Sequence, residues 1–468
     1  MKQLQKSLKA APVAPRCFAG MPASLAMSLR SRSRRSSSAI LLPVEILVLI
    51  FKIGCFGYSD KISARRFIRN ISHVSQHWRQ VSINHQVLWT DVVAKLDTKN
   101  ITLRPIEEPL TRSGTLPIDI TFISTIYMDI PTLKESTKSM FKMISPHAHR
   151  WRSFQAQCRG HVNLKFVIDG LRHIKAPIIE HLQLDLEGDP DSWWIQPSEI
   201  LDGGAPLLRS VALHNGICLA PMHAVQTLYL ANVFHTHAHL NSTVNAIFED
   251  TPLRLLRDLT ISGYIIDSTY LLAFMSNIVF PSLITLRLLA YQGQRRRGPQ
   301  IEFLRAISAP VLQCLVLEDI SSQEIRHLSL DRPEFPMLRS LAVASAEDII
   351  VILLRRIFPE ITHLNLRNLP MQASRFLHPS SPVQLCSHLE VLTMHELPSS
   401  QVTPLCDSLA ERSLSCPLPR RIVLRNCNTS AVDAFLTSLR DRELHIEVYA
   451  SARGDVPWYE DVKTWTCW

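Results

Sequence analysis

The stretch PSLITLRL, residues 281–288, is followed 29 positions further along the chain by PVLQCLVL, residues 310–317. Both fit the pattern P-x-L-x-x-L-x-L, which ends in two leucines separated by one residue. Because strand side chains alternate between two faces, these two leucines lie on the same face of a strand. The leucine three positions before them points inward from the bend that precedes the strand. The pattern predicts a short strand with one apolar face, entered through a proline turn.

The same pattern, with other aliphatic residues in place of some leucines, recurs over most of the chain. Full copies begin at Pro177, Pro206, Pro281, Pro310, Pro336 and Pro359. Partial copies centre on Leu228, Leu259 and Leu392, and remnants lie at Ile422, Leu424, Leu444 and Ile446. The second leucines of successive copies are 17 to 31 residues apart, mostly 23 to 31. This is the period of leucine-rich repeats.

The segments between copies are long enough for helices, and 268–280 and 345–358 carry apolar residues at helical spacing. Stacked units of this kind place parallel strands on the concave face, helices on the convex face and a leucine core between them. The segments 91–96 and 116–122 alternate like strands and are expected to begin the sheet. The predicted fold class is therefore α/β, a leucine-rich-repeat solenoid over residues 93–450. A generic leucine-rich α/β protein is the alternative, but it would not repeat the pattern so often.

The segment before the repeats differs from them in its sequence pattern. The segment LLPVEILVLIFKIGCFG, residues 41–57, predicts a helix that starts near Pro43, where a missing N–H is tolerated and Glu45 suits the helix dipole. Residues 65–89 predict two further short helices. A bundle of about 50 residues buries little surface by itself, and binding to a partner is one common remedy.

The order of residues in this bundle resembles the F-box family. Its pattern is a leucine-proline pair, an acidic residue in an aliphatic helix, a valine-serine step, W-R and a closing L-W. The matching residues are Leu42, Pro43, Glu45, Ile46, Leu47, Ile50, Phe51, Val74, Ser75, Trp78, Arg79, Leu88 and Trp89. The chain departs from the common form in a longer connection, residues 57–70, and in Ser75, where many members carry cysteine. The resemblance implies a three-helix F-box-like domain at residues 39–92.

The resemblance also implies a function and a binding surface. F-box proteins with irregular leucine-rich repeats are non-catalytic substrate receptors: the F-box binds the Skp-type adaptor of a cullin-RING ubiquitin ligase, and the repeats hold a target protein. The adaptor-facing residues carried onto this sequence are Leu42, Pro43, Ile46, Leu47, Ile50, Val74 and Trp78. No cofactor or metal is implied, and the target is unknown. The alternative is a protein-interaction scaffold outside any ligase, with the bundle as an N-terminal cap of the solenoid.

The charge distribution and the sequence motifs concern two other functional classes, nucleic-acid-binding proteins and enzymes. Residues 1–44 carry eight basic and no acidic residues, and the rest of the chain carries 42 basic and 41 acidic residues, which disfavours a nucleic-acid-binding solenoid. The basic, serine-rich segment 1–38 is interpreted as a disordered tail, with a transit peptide or a nuclear-localisation arm as alternatives. Residues 451–468 are a second tail. Phosphate-binding loops and hydrolase motifs are absent, so an enzyme is not expected.

The remaining expectations concern metal, membrane and compartment. The motif HTHAH, with His235, His237 and His239, has no carboxylate or cysteine at ligand spacing, so a polar loop is preferred over a metal site. The longest apolar run, 39–51, is shorter than the roughly 20 residues that span a bilayer. Ten cysteines without a C-x-x-C pair or a secretory signal favour a cytoplasmic or nuclear protein.

Overall fold

The structure is a computed structural model. It describes residues 42–58, 60–96, 104–124, 130–159, 161–187, 198–214, 218–231, 253–262, 278–289, 303–304, 307–318, 335–344, 360–367, 388–397, 399–412, 419–427, 429–438 and 445–449. These ranges hold nearly all of the predicted N-terminal domain and the strand of every repeat copy. The predicted tails, residues 1–38 and 451–468, lie outside them.

The described helices lie within residues 44–171 and 399–438. The helices are α1 Val44–Phe56, α2 Lys61–Ile71, α3 Gln76–Asn84, α4 Arg104–Arg112, α5 Ile130–Ile144, α6 His161–Leu171, α7 Ser399–Arg412 and α8 Thr429–Ser438. Short 3-10 helices lie at Gln86–Trp89 and Ser145–Arg150.

The strands are short, most of them five residues long. They are β1 Asp91–Leu96, β2 Ile118–Ser124, β3 Trp151–Arg159, β4 His181–Glu187, β5 Ser198–Glu199, β6 Ser210–His214, β7 Cys218–Leu219, β8 Thr227–Ala231, β9 Asp258–Ser262, β10 Ile278–Val279, β11 Thr285–Leu289, β12 Ile307–Ser308, β13 Cys314–Glu318, β14 Ser340–Ala344, β15 His363–Arg367, β16 Val391–His395, β17 Arg421–Arg425 and β18 His445–Tyr449.

Fourteen of these strands form one sheet in which every described pairing is parallel. Its strands follow one another in chain order from β1 to β18, and the four strands it omits form two small parallel pairs, β5 with β7 and β10 with β12. A parallel sheet in unbroken chain order is the arrangement of stacked repeats. The predicted α/β fold with a solenoid-like parallel sheet is confirmed at this level.

The register of the sheet aligns the repeat copies residue by residue. Phe154, Leu182, Val211, Leu228, Leu259, Leu286, Leu315, Leu341, Leu364, Leu392 and Ile422 are partners across successive strands. All are at most 2% exposed. They and the apolar residues two positions later belong to one apolar cluster, and we call their side of the sheet the core face. The second leucine of each copy, or the aliphatic residue that replaces it, thus occupies the same structural position in each strand.

The helices after β1 pack on this core face. Buried apolar side chains of α4, α5, α6, α7 and α8 all belong to the cluster that contains the aligned leucines; examples are Leu110, Met140, Val167, Leu409 and Phe435. The sheet and these helices therefore form two layers around a single apolar core.

The first three helices have a core of their own. Leu47, Val48, Phe51, Ile68, Ile71, Val81, Leu88 and Trp89 form this second cluster. The Trp89 indole N–H donates to the Ser82 carbonyl at 2.8 Å, which satisfies the polar atom of this buried ring. The helix predicted to start near Pro43 does so, and residues 65–89 form the rest of α2, α3 and a 3-10 turn, as expected.

Side-chain caps define the starts of α2 and α3. Asp60 accepts a hydrogen bond from the Ser63 backbone N–H at 2.7 Å, and Ser75 accepts one from the Trp78 backbone N–H at 3.2 Å. Serine is a strong helix-capping residue because its hydroxyl pairs with an amide that has no partner within the helix. Ser75, the position at which the chain differs from many F-box sequences, is therefore the N-cap of α3.

One helix prediction needs correction, and one boundary differs. Residues 278–279, at the end of the predicted helix 268–280, form β10 instead, paired with β12. The β-branched Ile278 and Val279 suit a strand, and the proline that follows would end either element. The rest of that segment, the predicted helix 345–358 and Leu444 lie outside the described residues. The sheet begins at Asp91, inside the predicted N-terminal domain 39–92.

Candidate functional site

Helix α1 carries apolar side chains on two opposite faces. Leu47, Val48 and Phe51 point into the cluster of the three helices and are at most 6% exposed. Ile46, Leu49, Ile50 and Ile53 are 44%, 52%, 41% and 62% exposed. Their spacing of three, one and three residues places them on one side of a helix, and we call these four residues the apolar stripe.

The apolar stripe is unfavourable in an isolated chain. Burying an aliphatic side chain of this size stabilises by about 1.5–3 kcal/mol, so roughly half-exposed residues each forgo on the order of 1 kcal/mol. Single exposed apolar residues are ordinary on protein surfaces, whereas large contiguous apolar patches are typical of interaction sites. The four residues of the apolar stripe are adjacent on one helix face and together form an exposed apolar patch.

Most of the seven residues that the resemblance assigned to the surface are accessible. Ile46 and Ile50 belong to the apolar stripe, and Leu42, 39% exposed, and Pro43 lie just before α1. Val74 is 61% exposed in the turn between α2 and α3. Trp78 is half-buried, and its ring centroid is 5.2 Å from that of Phe51. Trp78 thus joins α3 to the inner face of α1 while keeping part of its surface exposed.

Leu47 does not belong to this surface. It is 1% exposed and packs in the cluster of the three helices. The reason is its phase on the helix: Leu47 and Phe51 are four residues apart and lie on the face opposite the apolar stripe. Its contribution is to the packing of α1, so the surface assignment of Leu47 is corrected.

Leu49 and Ile53 belong to the exposed set but were not among the seven assigned residues. The signal for them is in the sequence, since positions 46, 49, 50 and 53 have the spacing of a single helix face. What the sequence lacks is any sign of which apolar face of α1 turns inward. That choice is made by the contact of Phe51 with α2 and α3.

The described contacts of the three-helix unit with β1 and α4 come from α2 and from the 3-10 turn, away from the apolar stripe. Arg65 donates to the Val93 carbonyl at 3.1 Å, and Lys61 pairs with Asp91 at 3.1 Å. The Arg112 guanidinium lies 4.3 Å from the centre of the Trp89 ring, within cation–π range. The unit therefore abuts the first strand through one side and presents α1 on another.

Thiols in the three-helix unit and in the strands have raised pKa values. Burial, followed by the charge of Asp91, raises the pKa of the Cys55 thiol to about 11. Burial likewise raises the pKa of Cys218 and of Cys314 to about 12. At neutral pH these thiols are protonated, which makes them poor nucleophiles.

Within the described ranges, no group of three or more His, Cys, Asp and Glu side chains is placed to hold a metal ion. His147 contacts the Arg150 guanidinium at 3.3 Å, and burial, Arg150 and His149 lower its pKa. The HTHAH motif lies outside the described residues. None of the described helices is long and apolar enough to cross a membrane.

A scan against protein-family models and a search of curated proteins found no match for this chain.

Proposed function

We propose that this chain is a non-catalytic substrate receptor of a cullin-RING ubiquitin ligase. The three-helix unit binds the Skp-type adaptor, and the repeat sheet binds a target protein. The observation that carries the proposal is the apolar stripe of α1, Ile46, Leu49, Ile50 and Ile53, on a helix whose opposite face is already buried.

The anatomy of the surface supports a protein partner. Interfaces between proteins have an apolar centre with aromatic anchors, and a few well-packed residues supply most of the binding free energy. Here Ile46 and Ile50 provide the apolar centre, and Trp78 is an aromatic side chain that remains half-buried. Leu42 and Pro43 extend the apolar surface beyond the start of α1. The partner is proposed to be a Skp-type adaptor because the residues of the three-helix unit follow the order of the F-box pattern.

In the proposed mechanism, the receptor brings the target close to the ubiquitin-carrying enzyme. The adaptor links the chain to the cullin, and the repeats hold the target where the ligase's ubiquitin-carrying enzyme reaches a target lysine. Holding two reactants together raises their effective concentration, so the receptor contributes to the rate without reactive groups. No catalytic residue and no cofactor are assigned to this chain in the proposal.

The second candidate is a scaffold in which the three-helix unit only caps the solenoid. The contacts of Lys61 and Arg65 with β1, and of Trp89 with Arg112 of α4, favour a capping contribution. Capping, however, involves only the side of the unit that faces β1. It does not explain why the apolar stripe of α1 is exposed. The stripe therefore favours the adaptor-binding proposal over a cap alone.

The test is co-purification of the full chain with a Skp-type adaptor after co-expression. We expect the wild-type chain to retain the adaptor and the variant Ile46→Glu, Ile50→Glu to lose it, because two charges would be desolvated in the interface. The matched control is Leu207→Glu, Leu255→Glu, which alters two residues of similar exposure, 42% and 50%, in turns of the sheet. Retention in both variants, or no association of folded wild type, would reject the adaptor role.

A further inference from the structure

The three-helix unit differs in charge from the rest of the fold. Residues 42–90 contain six basic and two acidic residues, a formal net charge of +4, whereas residues 91–468 contain 36 basic and 39 acidic residues. Helix α2 supplies four of the six basic residues and contains no acidic residue. The apolar stripe therefore belongs to a basic unit that is joined to a slightly acidic solenoid.

Two of the four cations of α2 have contacts within the fold. Lys61 pairs with Asp91 at 3.1 Å, and Arg65 donates to the Val93 carbonyl at 3.1 Å. Both contacts join α2 to the first strand. They account for the side of α2 that faces β1, and for no other side of the helix.

Three arginines of the unit point into solvent. Arg66 and Arg69 of α2 and Arg79 of α3 are exposed, and among the described residues none of them forms an ion pair or a side-chain hydrogen bond. Arg66 and Arg69 are three residues apart, so they share one face of α2. That face is turned away from Ile68 and Ile71, which are buried in the core of the unit.

Two of these arginines flank residues that the F-box resemblance places on the adaptor-facing surface. Arg69 lies in the last turn of α2, just before the turn that exposes Val74, and Arg79 directly follows the half-buried Trp78. The Ser72 hydroxyl donates to the Arg69 carbonyl at 2.6 Å and so closes that turn. Apolar residues bordered by charged side chains are the usual arrangement of an interface centre and its rim.

We propose that the partner of the three-helix unit carries an acidic surface beside its apolar contact, and that Arg66, Arg69 and Arg79 guide it onto the apolar stripe. This inference rests on the proposed adaptor-binding function and adds the charge of the partner's surface. Charges at the rim of an interface mainly raise the rate of association, whereas losses of contact at its centre mainly raise the rate of dissociation. The apolar stripe thus holds the complex, and the arginines accelerate its formation.

A protein fits this surface better than the other anionic partners, nucleic acids and membranes. Nucleic acids are contacted largely through phosphates, and they would leave the four aliphatic residues of the apolar stripe without a partner. A helix that lies in a membrane surface carries lysine and arginine on its polar face. In α1 the face opposite the stripe is buried in the core of the unit, and the exposed Glu45 in its first turn would be repelled by anionic lipids.

The test measures the rates of association and dissociation of the full chain with a purified Skp-type adaptor at low and at high salt. We expect the association rate to fall on the order of tenfold at high salt, because salt screens the arginines. The variant Arg66→Glu, Arg69→Glu, Arg79→Glu is expected to lower the low-salt association rate on the order of tenfold and to weaken its dependence on salt. The dissociation rate changes less than the association rate.

Two further variants separate this surface from the net charge of the chain. Lysine at the same three positions keeps the charge and is expected to keep the wild-type association rate. The matched control is Arg172→Glu, Arg254→Glu, Arg257→Glu, which reverses three exposed arginines outside the three-helix unit and changes the net charge equally. An equal loss of association rate in both glutamate variants would overturn the assignment to this surface.

The remaining outcomes separate this inference from the adaptor-binding proposal. If the wild type associates equally fast at both salt concentrations, the inference is rejected and the adaptor-binding proposal stands; this result depends on no variant. If the folded wild type does not associate at either concentration, both are rejected. Vesicles of anionic lipid and a single-stranded oligonucleotide are the other probes. Binding of either probe through the three arginines, with an unchanged adaptor rate in the glutamate variant, would overturn the inference.

Discussion

Helix α1 and strand β13 are both rich in aliphatic residues, but they use them differently. In β13, Leu315 and Leu317 are fully buried in the core, and Val316, between them, is fully buried on the opposite face. In α1, Leu47 and Phe51 are buried, whereas Ile46 and Ile50 remain more than 40% exposed. The strand buries its apolar residues within the fold, whereas the helix leaves several of them exposed.

This difference has an energetic meaning. Small domains bury little of their own surface, so a three-helix unit that leaves an apolar stripe exposed forgoes stability it could have used. Mutations in the two places are therefore expected to separate stability from binding. Four predictions concern the stability of the sheet and of the three-helix unit, and the last also concerns binding; they begin with the largest expected effect.

Leu315→Ala is expected to lower the free energy of unfolding by between about 2 and 5 kcal/mol, the usual range for a buried leucine that leaves a cavity. Leu315 is fully buried between Leu286 and Leu341 in the aligned row of the sheet. Urea denaturation followed by circular dichroism measures the change. A loss below 0.5 kcal/mol, by order of magnitude no more than a surface substitution, would contradict the proposed core.

Lowering the pH is expected to destabilise the sheet through His395, whose pKa is about 4 in the folded chain because of burial and the nearby Arg425 and Arg367. The unfolded chain protonates at about 6.5, so it binds the proton first as the pH falls. Stability should therefore decline from about pH 6.5 to about pH 4, by no more than about 3 kcal/mol from this residue.

The measurement is urea denaturation of the wild type and of His395→Gln at several pH values. A flatter profile in the variant over this window supports the assignment. Parallel profiles for the two chains would show that His395 is not responsible for the dependence on pH.

Ser75→Ala is expected to lower stability by about 1 kcal/mol, because the Trp78 backbone N–H loses its cap. Ser75→Asp is the matched variant, since aspartate caps helices about as well as serine and suits the positive end of the helix dipole. Thermal denaturation compares the three chains. An alanine variant as stable as the aspartate variant would argue against the capping role.

Ile53→Glu is expected to change the free energy of unfolding by less than about 0.5 kcal/mol, because Ile53 is 62% exposed and glutamate is a good helix former. The same substitution is expected to weaken adaptor binding, which titration calorimetry would measure. A large loss of stability in Ile53→Glu would mean that the apolar stripe serves the fold, and the contrast with β13 would disappear.

The sequence pattern was sufficient to predict most of the large sheet, because its strands from β4 onward repeat one pattern. Leu286 and Leu315 occupy equivalent positions in neighbouring strands, as their equal places in PSLITLRL and PVLQCLVL indicate. Because a repeat is recognised by its recurrence along the chain, even irregular copies can be aligned with one another. Strand β10, which has only two residues and no phrase, was predicted as helix because short apolar segments fit either period.

The interaction surfaces were harder to predict for a physical reason. In α1, nearly every position is apolar, so periodicity alone does not show that Leu47 turns inward and Leu49 outward. On the side of the sheet opposite the core face, Asn365 and Thr393 are fully buried, although their alternation with leucines suggests solvent exposure. Burial depends on the tertiary surroundings of an element, which a local pattern does not contain.

Amide hydrogen exchange of the full chain, alone and with a saturating Skp-type adaptor, tests the central claim most directly. We predict that the adaptor slows exchange in residues 44–56 and in the turn around Val74, and leaves β11 to β18 unchanged. No slowing in α1, or slowing confined to the sheet, would contradict the claim that the apolar stripe is the adaptor-binding surface.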